Sequence, residues 1–397
     1  MTTRGIVLSL ALLGLPAAGL LATSPPLITP TTKPGRVKPD PDRAVLQSRR
    51  VVVDVAGLRG PSNLKFSLPL FGHDVVLIAR DRQETPRPGT LLWYGHVDGE
   101  PGSMALLSSV GDAVAGDVTT RDHAGRFRFY QLRFLGDGVH VLNEIDQSLL
   151  PPEDDSIMWD TGPGQAVTQT CDPASTIDVL VAYTGRARFA AGNTKPGSAA
   201  NGMEAEIEEA VASTNLSYAN SGITQRLRLA HMEEVSYSEV GKTPKQILDA
   251  LTSGGDGLDT VHHLRDQYGA DVVAFIVASL SSCGRSNVMF KKEADFESQA
   301  FAVIRRNCSV TRLSFGHELG HVMGARHEWG VDGPDHAPQE VLFNHGYVLT
   351  APAGSGAPWR TIMAVDQNCL KSPPADCSAR LPYWSNPRIK YPDPSGD

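Results

Sequence analysis

The stretch SFGHELGHVMGARHEWG, from Ser314 to Gly330, restricts what this chain can fold into more than any other. His317 and His321 are four residues apart, so on a helix they differ by about 40° in azimuth and lie about one turn apart. Two imidazoles so placed can face one ion. Glu318 is rotated by about 100° from His317; it cannot join as an equivalent ligand, but it can reach a water beside the ion. Gly324 lets the helix stop and the backbone turn through positive φ, after which His327 can return as a third ligand. Three neutral imidazoles leave one tetrahedral position to water, the open coordination of a catalytic zinc. The pattern predicts His317, His321 and His327 as metal ligands, Zn2+ as cofactor and Glu318 as general base.

The start of the chain speaks to compartment. Arg4 precedes GIVLSLALLGLPAAGLLA, an apolar run that ends in small residues. Residues 1–22 read as a secretory signal peptide. The run approaches the ~20 residues a spanning helix needs, yet Pro16 and the glycines favour a cleaved signal, and no later run could cross a membrane. The chain is read as secreted, extracellular and without a membrane partner. Its charge, 36 − 44 = −8, comes with no Lys/Arg-rich block, which gives no argument for a nucleic-acid partner. With 397 residues, 41% hydrophobic and 20% charged, it can bury two cores.

Composition then divides the rest. Residues 23–49, rich in Pro and Thr, predict an extended linker. Residues 50–150 carry short apolar runs (RVVVDV, KFSLPL, DVVLIA, TLLWYGHV, RFRFYQLRF, VHVLNEI) between turn signals, with no convincing helix. They predict a β-rich sandwich or barrel-like domain. PPEDDS and TGPGQ mark a second linker over 151–175. From residue 176 to 397 the pattern becomes strand, helix, strand, helix, strand: IDVLVAYT; a helix with Met203, Ile207, Ala210, Val211 and Thr214 on one face; ITQRLRLAHMEEV; helical stretches at PKQILDAL and LDTVHHLRDQYG; and GADVVAFIVASL. That order suggests a mixed α/β sheet with crossover helices.

HExxHxxGxxH is the metzincin signature, and TIMAV, Thr361 to Val365, supplies a Met-turn in which Met363 would floor the histidines. Val365, where some metzincins carry tyrosine, and Ala325 set the chain apart from astacins and serralysins. The segment from Thr176 onward resembles the reprolysin-like metzincins, and among them the bacterial peptidyl-Asp metalloendopeptidases. IDVLVAYT, STNLSYANSG, DVVAFIV, SSCG, FGHELGHVMGARH, TIMA and YWSNP carry the resemblance. It departs at Glu328, where reprolysins usually have Asp, and in a longer stretch from Cys369 to Tyr383.

The resemblance implies a twisted five-stranded sheet with one antiparallel edge strand over an active-site helix, a small C-terminal subdomain, and a secreted monomeric endopeptidase made as a zymogen. Residues 50–150 would be its β-rich pro-domain and inhibitor. In that fold GRSNVMF would be the antiparallel edge, exposed to take a peptide substrate as an added strand. Cys283 would meet Cys308, and Cys369 would meet Cys377. Cys171 is left, either as a pro-segment thiolate that blocks the metal or as a surface thiol or a partner in another pairing.

Cleavage on the amino side of Asp would need a cation in the pocket. Arg360, Lys371, Arg380 and Arg388 lie near the Met-turn in sequence, each reading by itself as a solvated surface charge. Self-maturation at Trp159–Asp160 or Cys171–Asp172 would follow from such a preference. His262, His263, His336 and His345 show no ligand spacing, and SGGDGLDT reads as a turn rather than a calcium loop. The alternative is a secreted, non-catalytic binding or adhesion protein on the same scaffold, which the intact Glu318 argues against.

Overall fold

The computed structural model describes residues 24–38, 42–60, 64–154, 175–193, 201–290, 296–332, 344–350, 357–365 and 379–392. The expected signal peptide, Cys171, Cys369, Cys377, Lys371, His336 and both self-maturation bonds lie outside them.

The N-terminal unit is a nine-stranded antiparallel sheet. Its elements are β1 (Ile28–Pro30), β2 (Val45–Val53), the short helix α1 (Val55–Arg59), β3 (Lys65–Pro69), β4 (Val75–Glu84), β5 (Thr90–Val97), β6 (Met104–Val110), β7 (Ala113–Arg121), β8 (Phe127–Gly136) and β9 (Val139–Ile145). Strands β3 to β9 form a meander, and β2 returns to pair with β9, carrying β1 at the edge. Two expectations are corrected here. Residues 23–49 are not merely a linker: Leu27, Ile28, Val37 and Ala44 are buried, and β1 pairs with β2 from Ile28↔Val53 to Pro30↔Val51. An edge strand tolerates Pro30 because one side of it needs no amide donor. The helix missed in sequence, α1, is capped by Asp54, whose side chain accepts the Gly57 N–H at 2.8 Å.

The C-terminal unit contains β10 (Thr176–Thr184), α2 (Gly185–Ala190), α3 (Gly202–Asn220), β11 (Arg226–Val235), α4 (Pro244–Ser253), α5 (Asp259–Tyr268), β12 (Val272–Val277), β13 (Gly284–Ser286), β14 (Phe301–Arg305) and α6 (Ser314–Val322). Strands β11, β10, β12 and β14 run parallel in that spatial order, and β13 closes the edge antiparallel to β14. The unbroken apolar runs of β10 and β12 follow from burial on both faces. Val179, Val181, Ala274 and Ile276 pack on one side with residues of α3 and α6, while Leu180, Ala182, Val273 and Phe275 pack on the other with those of α4 and α5. Cys283 and Cys308 form a disulfide with Cα atoms 5.4 Å apart, tying the start of β13 to the chain after β14.

The two units share buried surfaces. Helix α3 is buried nearly all round, not on one face, because its second side packs on the N-terminal sheet: Ala212 against Leu92, Tyr94 and Leu106, and Ala205 against Val110 and Ala115. The same contact explains the mixed alternation of β8. Tyr130 and Leu132 enter the N-terminal core, whereas Phe129, Gln131 and Arg133 point at the C-terminal unit. Arg133 reaches Asp117 at 2.7 Å, Glu209 at 3.0 Å and Glu206 at 3.9 Å. Glu206 also pairs with Arg306 at 2.6 Å.

Nor is edge strand β13 bare at its start. The Cys283 N–H donates to the Pro152 carbonyl at 2.8 Å, and the Asp154 N–H donates to the Gly284 carbonyl at 3.1 Å. Among the described residues, no helix is long and apolar enough to cross a membrane.

Candidate active site

Helix α6 presents His317 and His321 one turn apart, and Gly324, at φ 89°, turns the chain immediately after it. A side chain at that φ would be strained; glycine there lets His327 swing back. The three Nε2 atoms converge, with His317 and His321 at 3.1 Å, His321 and His327 at 3.0 Å, and His317 and His327 at 3.3 Å. Nitrogens about 2.0–2.1 Å from one tetrahedral zinc lie roughly 3.3–3.4 Å from each other. The donor set therefore fits a single ion of that size.

Two of the rings are aimed by their other nitrogen. His317 Nδ1–H donates to the Ile362 carbonyl and His321 Nδ1–H to the Ala325 carbonyl, each at 2.8 Å. These bonds leave Nε2 with its lone pair toward the common centre. Burial, and after it the charge of Arg380, hold His317 well below the ordinary imidazole range. Burial holds His321 down to about 4, and burial followed by His321 lowers His327. All three are neutral near pH 7, as metal ligation requires.

Glu318 is buried beside the triad, and its Oε2 accepts the Ser286 hydroxyl at 2.7 Å from edge strand β13. Gly284 makes room for it: a Cβ there would lie 2.4 Å from Glu318 Oε1. Met363 is buried under the helix, its Sδ lying 2.6 Å from where a Cβ on Gly320 would sit. The sulfur thus occupies the hollow beneath the residue between the two helical histidines.

Residues 174–375 match the sequence profile described as metallo-peptidase family M12. A protein named peptidyl-Asp metalloendopeptidase from Xanthomonas campestris pv. campestris is 31% identical over 420 residues, covering 98% of this chain and 92% of its own. One of the same name from Stenotrophomonas maltophilia is 32% identical over 383 residues, covering 90% and 82%. The chain belongs to metallopeptidase family M12. It is a metalloendopeptidase, with an α/β catalytic domain that follows a β-rich region.

Around the site of this metalloendopeptidase stand residues that sequence reasoning passed over or misplaced. Glu328, noted only as a departure from the family pattern, accepts the Val365 N–H at 3.0 Å and so ties the third histidine's neighbour to the Met-turn. Burial raises its carboxyl above the ordinary range. His345 is not among the converging ring nitrogens; its Nδ1–H donates to the His327 carbonyl at 2.7 Å and its ring stacks on Trp329. His262 is structural, bonded to the Leu251 carbonyl.

The largest correction concerns the arginines. Arg388 is exposed as expected, but Arg360 and Arg380 are buried at 0% and 1% exposure. Arg380 donates to the carbonyls of Arg312 and Ala364, both at 3.0 Å. These atoms precede α6 and follow Met363. A basic residue near the Met-turn is the only sequence signal Arg380 carried, and three others shared it.

Proposed function

We propose that this chain is a secreted, zinc-dependent endopeptidase that cuts on the amino side of aspartate and is made with its N-terminal β-rich unit as an inhibitory pro-domain. His317, His321 and His327 would hold the metal, and Glu318 would act as general base. The convergence of three Nε2 atoms beside a buried carboxylate is the observation that carries this reading. When bound, zinc supplies Lewis acidity toward the scissile carbonyl and brings the pKa of water in its open position to about 7.

Glu318 takes a proton from the attacking water as the oxygen adds to the carbonyl carbon. It returns that proton to the amide nitrogen as the C–N bond breaks, leaving a free amine and a carboxylic acid that gives up its remaining proton to solvent to become a carboxylate. Ser286, bonded to Oε2, holds the carboxylate in place. The names of the two relatives support the aspartate preference. The apolar N-terminal run supports export, and the packing of the N-terminal sheet on the catalytic unit supports the inhibitory role.

The test is cleavage of a peptide library by the purified protein with and without a chelator, read by mass spectrometry. Chelator-sensitive cuts whose new N-termini begin with Asp are expected. Glu318→Gln should keep its metal and lose about 10²–10⁴-fold in kcat. Undiminished turnover in that variant would remove the base assignment.

A further inference from the structure

The segment that follows the N-terminal sheet inserts one acidic side chain beside the metal helix. Glu153 is 4% exposed, and its Oε1 accepts from Arg380 Nη1 at 2.5 Å and from the Ser314 hydroxyl at 2.8 Å, with Arg312 Nε at 3.7 Å. Ser314 stands one turn before His317 on α6. Arg380 is anchored on both sides of the site, to the Arg312 carbonyl ahead of the helix and to the Ala364 carbonyl beside Met363. Ile362, two residues before Ala364, aims His317. A guanidinium and a hydroxyl converging on one carboxylate, next to the ligand histidines, make a receptor for an acidic side chain.

The backbone around Glu153 is held as a substrate's would be. The Pro152 carbonyl and Asp154 N–H, which flank it, bond to Cys283 just before edge strand β13 and to Gly284 at its start, and Asp154 pairs with Arg285 at 2.8 Å. Strand edges take peptides by main-chain bonds and leave specificity to side-chain pockets. Here an acidic residue sits in the pocket and its neighbours sit on the edge.

We infer that Arg380, assisted by Ser314, is the specificity-determining cation that receives the aspartate side chain of the substrate, and that Glu153 occupies the same place in the unprocessed chain. The inference rests on the proposed aspartate-directed endopeptidase reading. It favours Arg380 among the sequence candidates because its guanidinium holds the Glu153 carboxylate next to the residue that opens α6; Lys371 lies outside the described residues. It also gives the N-terminal unit a means of inhibition separate from any role of Cys171. Burial enforces the pairing: removing an acid from a buried arginine leaves a charge that only another acid can satisfy.

The experiment uses the full chain and a pair of peptides differing only in Asp or Asn after the cleaved bond. In Arg380→Gln the Asp:Asn ratio of kcat/KM is expected to fall at least tenfold. A purely structural role would depress both peptides together and leave the ratio in place, which would overturn the assignment. Arg380→Lys keeps the charge where the glutamine variant does not fold; its shorter, point-charge head should still lower the ratio several-fold.

Glu153→Gln in the unprocessed chain should raise the initial chelator-sensitive rate on the Asp peptide at least fivefold. Hydrogen exchange at the Cys283 and Asp154 amides should speed up in parallel. An unchanged rate and unchanged exchange would overturn the role of Glu153. If the wild-type protein cuts neither peptide even after its N-terminal unit has been removed by processing, the endopeptidase reading falls and this inference with it. If it prefers Asp and the ratio survives substitution of Arg380, only the inference falls.

Discussion

At the scale of single residues, the site is organised by small side chains as much as by the histidines. Gly284 and Gly320 are placed so that Glu318 and Met363 can approach backbone that a Cβ would screen. Gly284→Ala would put a carbon 2.4 Å from Glu318 Oε1, so the carboxylate must move. Misplacement of a catalytic group by about 1 Å can cost on the order of 10²-fold. We expect kcat/KM to fall by about that factor with metal content unchanged, measured by peptide hydrolysis alongside elemental analysis. Loss of metal would show instead that the substitution disturbs the triad. The convergence of the histidines was legible because helical spacing fixes the directions of His317 and His321 and Gly324 allows the turn that returns His327. Ser286 and Glu328 were not, since nothing in their immediate sequence says that a hydroxyl will meet a carboxylate or that a carboxylate will meet the Met-turn.

At the scale of elements, α6 works because it stops. The Met323 N–H bonds to the Leu319 carbonyl, and Gly324 then takes φ 89°. An L-residue in left-handed backbone costs about 1–2 kcal/mol. Gly324→Ala should therefore lower the melting temperature by a few degrees and weaken metal retention, as His327 can no longer reach the other rings without strain. Thermal unfolding and metal titration check the two effects; full retention of both would mean that the turn can be made another way. The helical period of α3 was read correctly, but its burial was not. A sequence shows one apolar stripe, whereas the second buried side of α3 is made of alanines and acids, including Glu206 and Glu209, whose partners come from β8 and from Arg306.

At the scale of the whole molecule, the N-terminal sheet is joined to the catalytic unit through buried charge. Burial raises the Glu209 carboxyl well above its ordinary range while Arg133 opposes that rise. Arg133→Ala would leave Asp117 and Glu209 without that cation, at a cost of about 3–5 kcal/mol. Urea unfolding should show it, and a loss below 1 kcal/mol would contradict the joint.

The sheet also carries a titratable weak point. His140 is 1% exposed, accepts the Val114 N–H at 3.0 Å through Nε2, and is held by burial down to about 3. A histidine lowered on folding binds its proton more readily when unfolded. Its contribution is complete above about pH 6.5 and is lost as pH falls toward 3, at a slope of up to about 1.4 kcal/mol per pH unit. The pH dependence of the urea midpoint should flatten over that range in His140→Gln; equal slopes would refute the assignment.

By itself the sequence determined the class of chemistry and the alternation of elements. His317, His321, Gly324 and His327 fall within one short stretch, where helix geometry converts spacing into direction without help from the rest of the chain. Apolar periodicity likewise registers local burial, and so β2 to β5, β8, β9, β10, β11 and β12 could be read, whereas β1, β6 and β7 were not. Tertiary structure alone decided that Arg380 is buried beside α6, what satisfies it, and that the expected linker carries a strand. Arg380 and Glu153 are separated by 227 positions, and β1 meets β2 across the intervening chain. Such contacts are selected by the folding of the whole molecule, since only the completed core excludes the water that would otherwise solvate those charges.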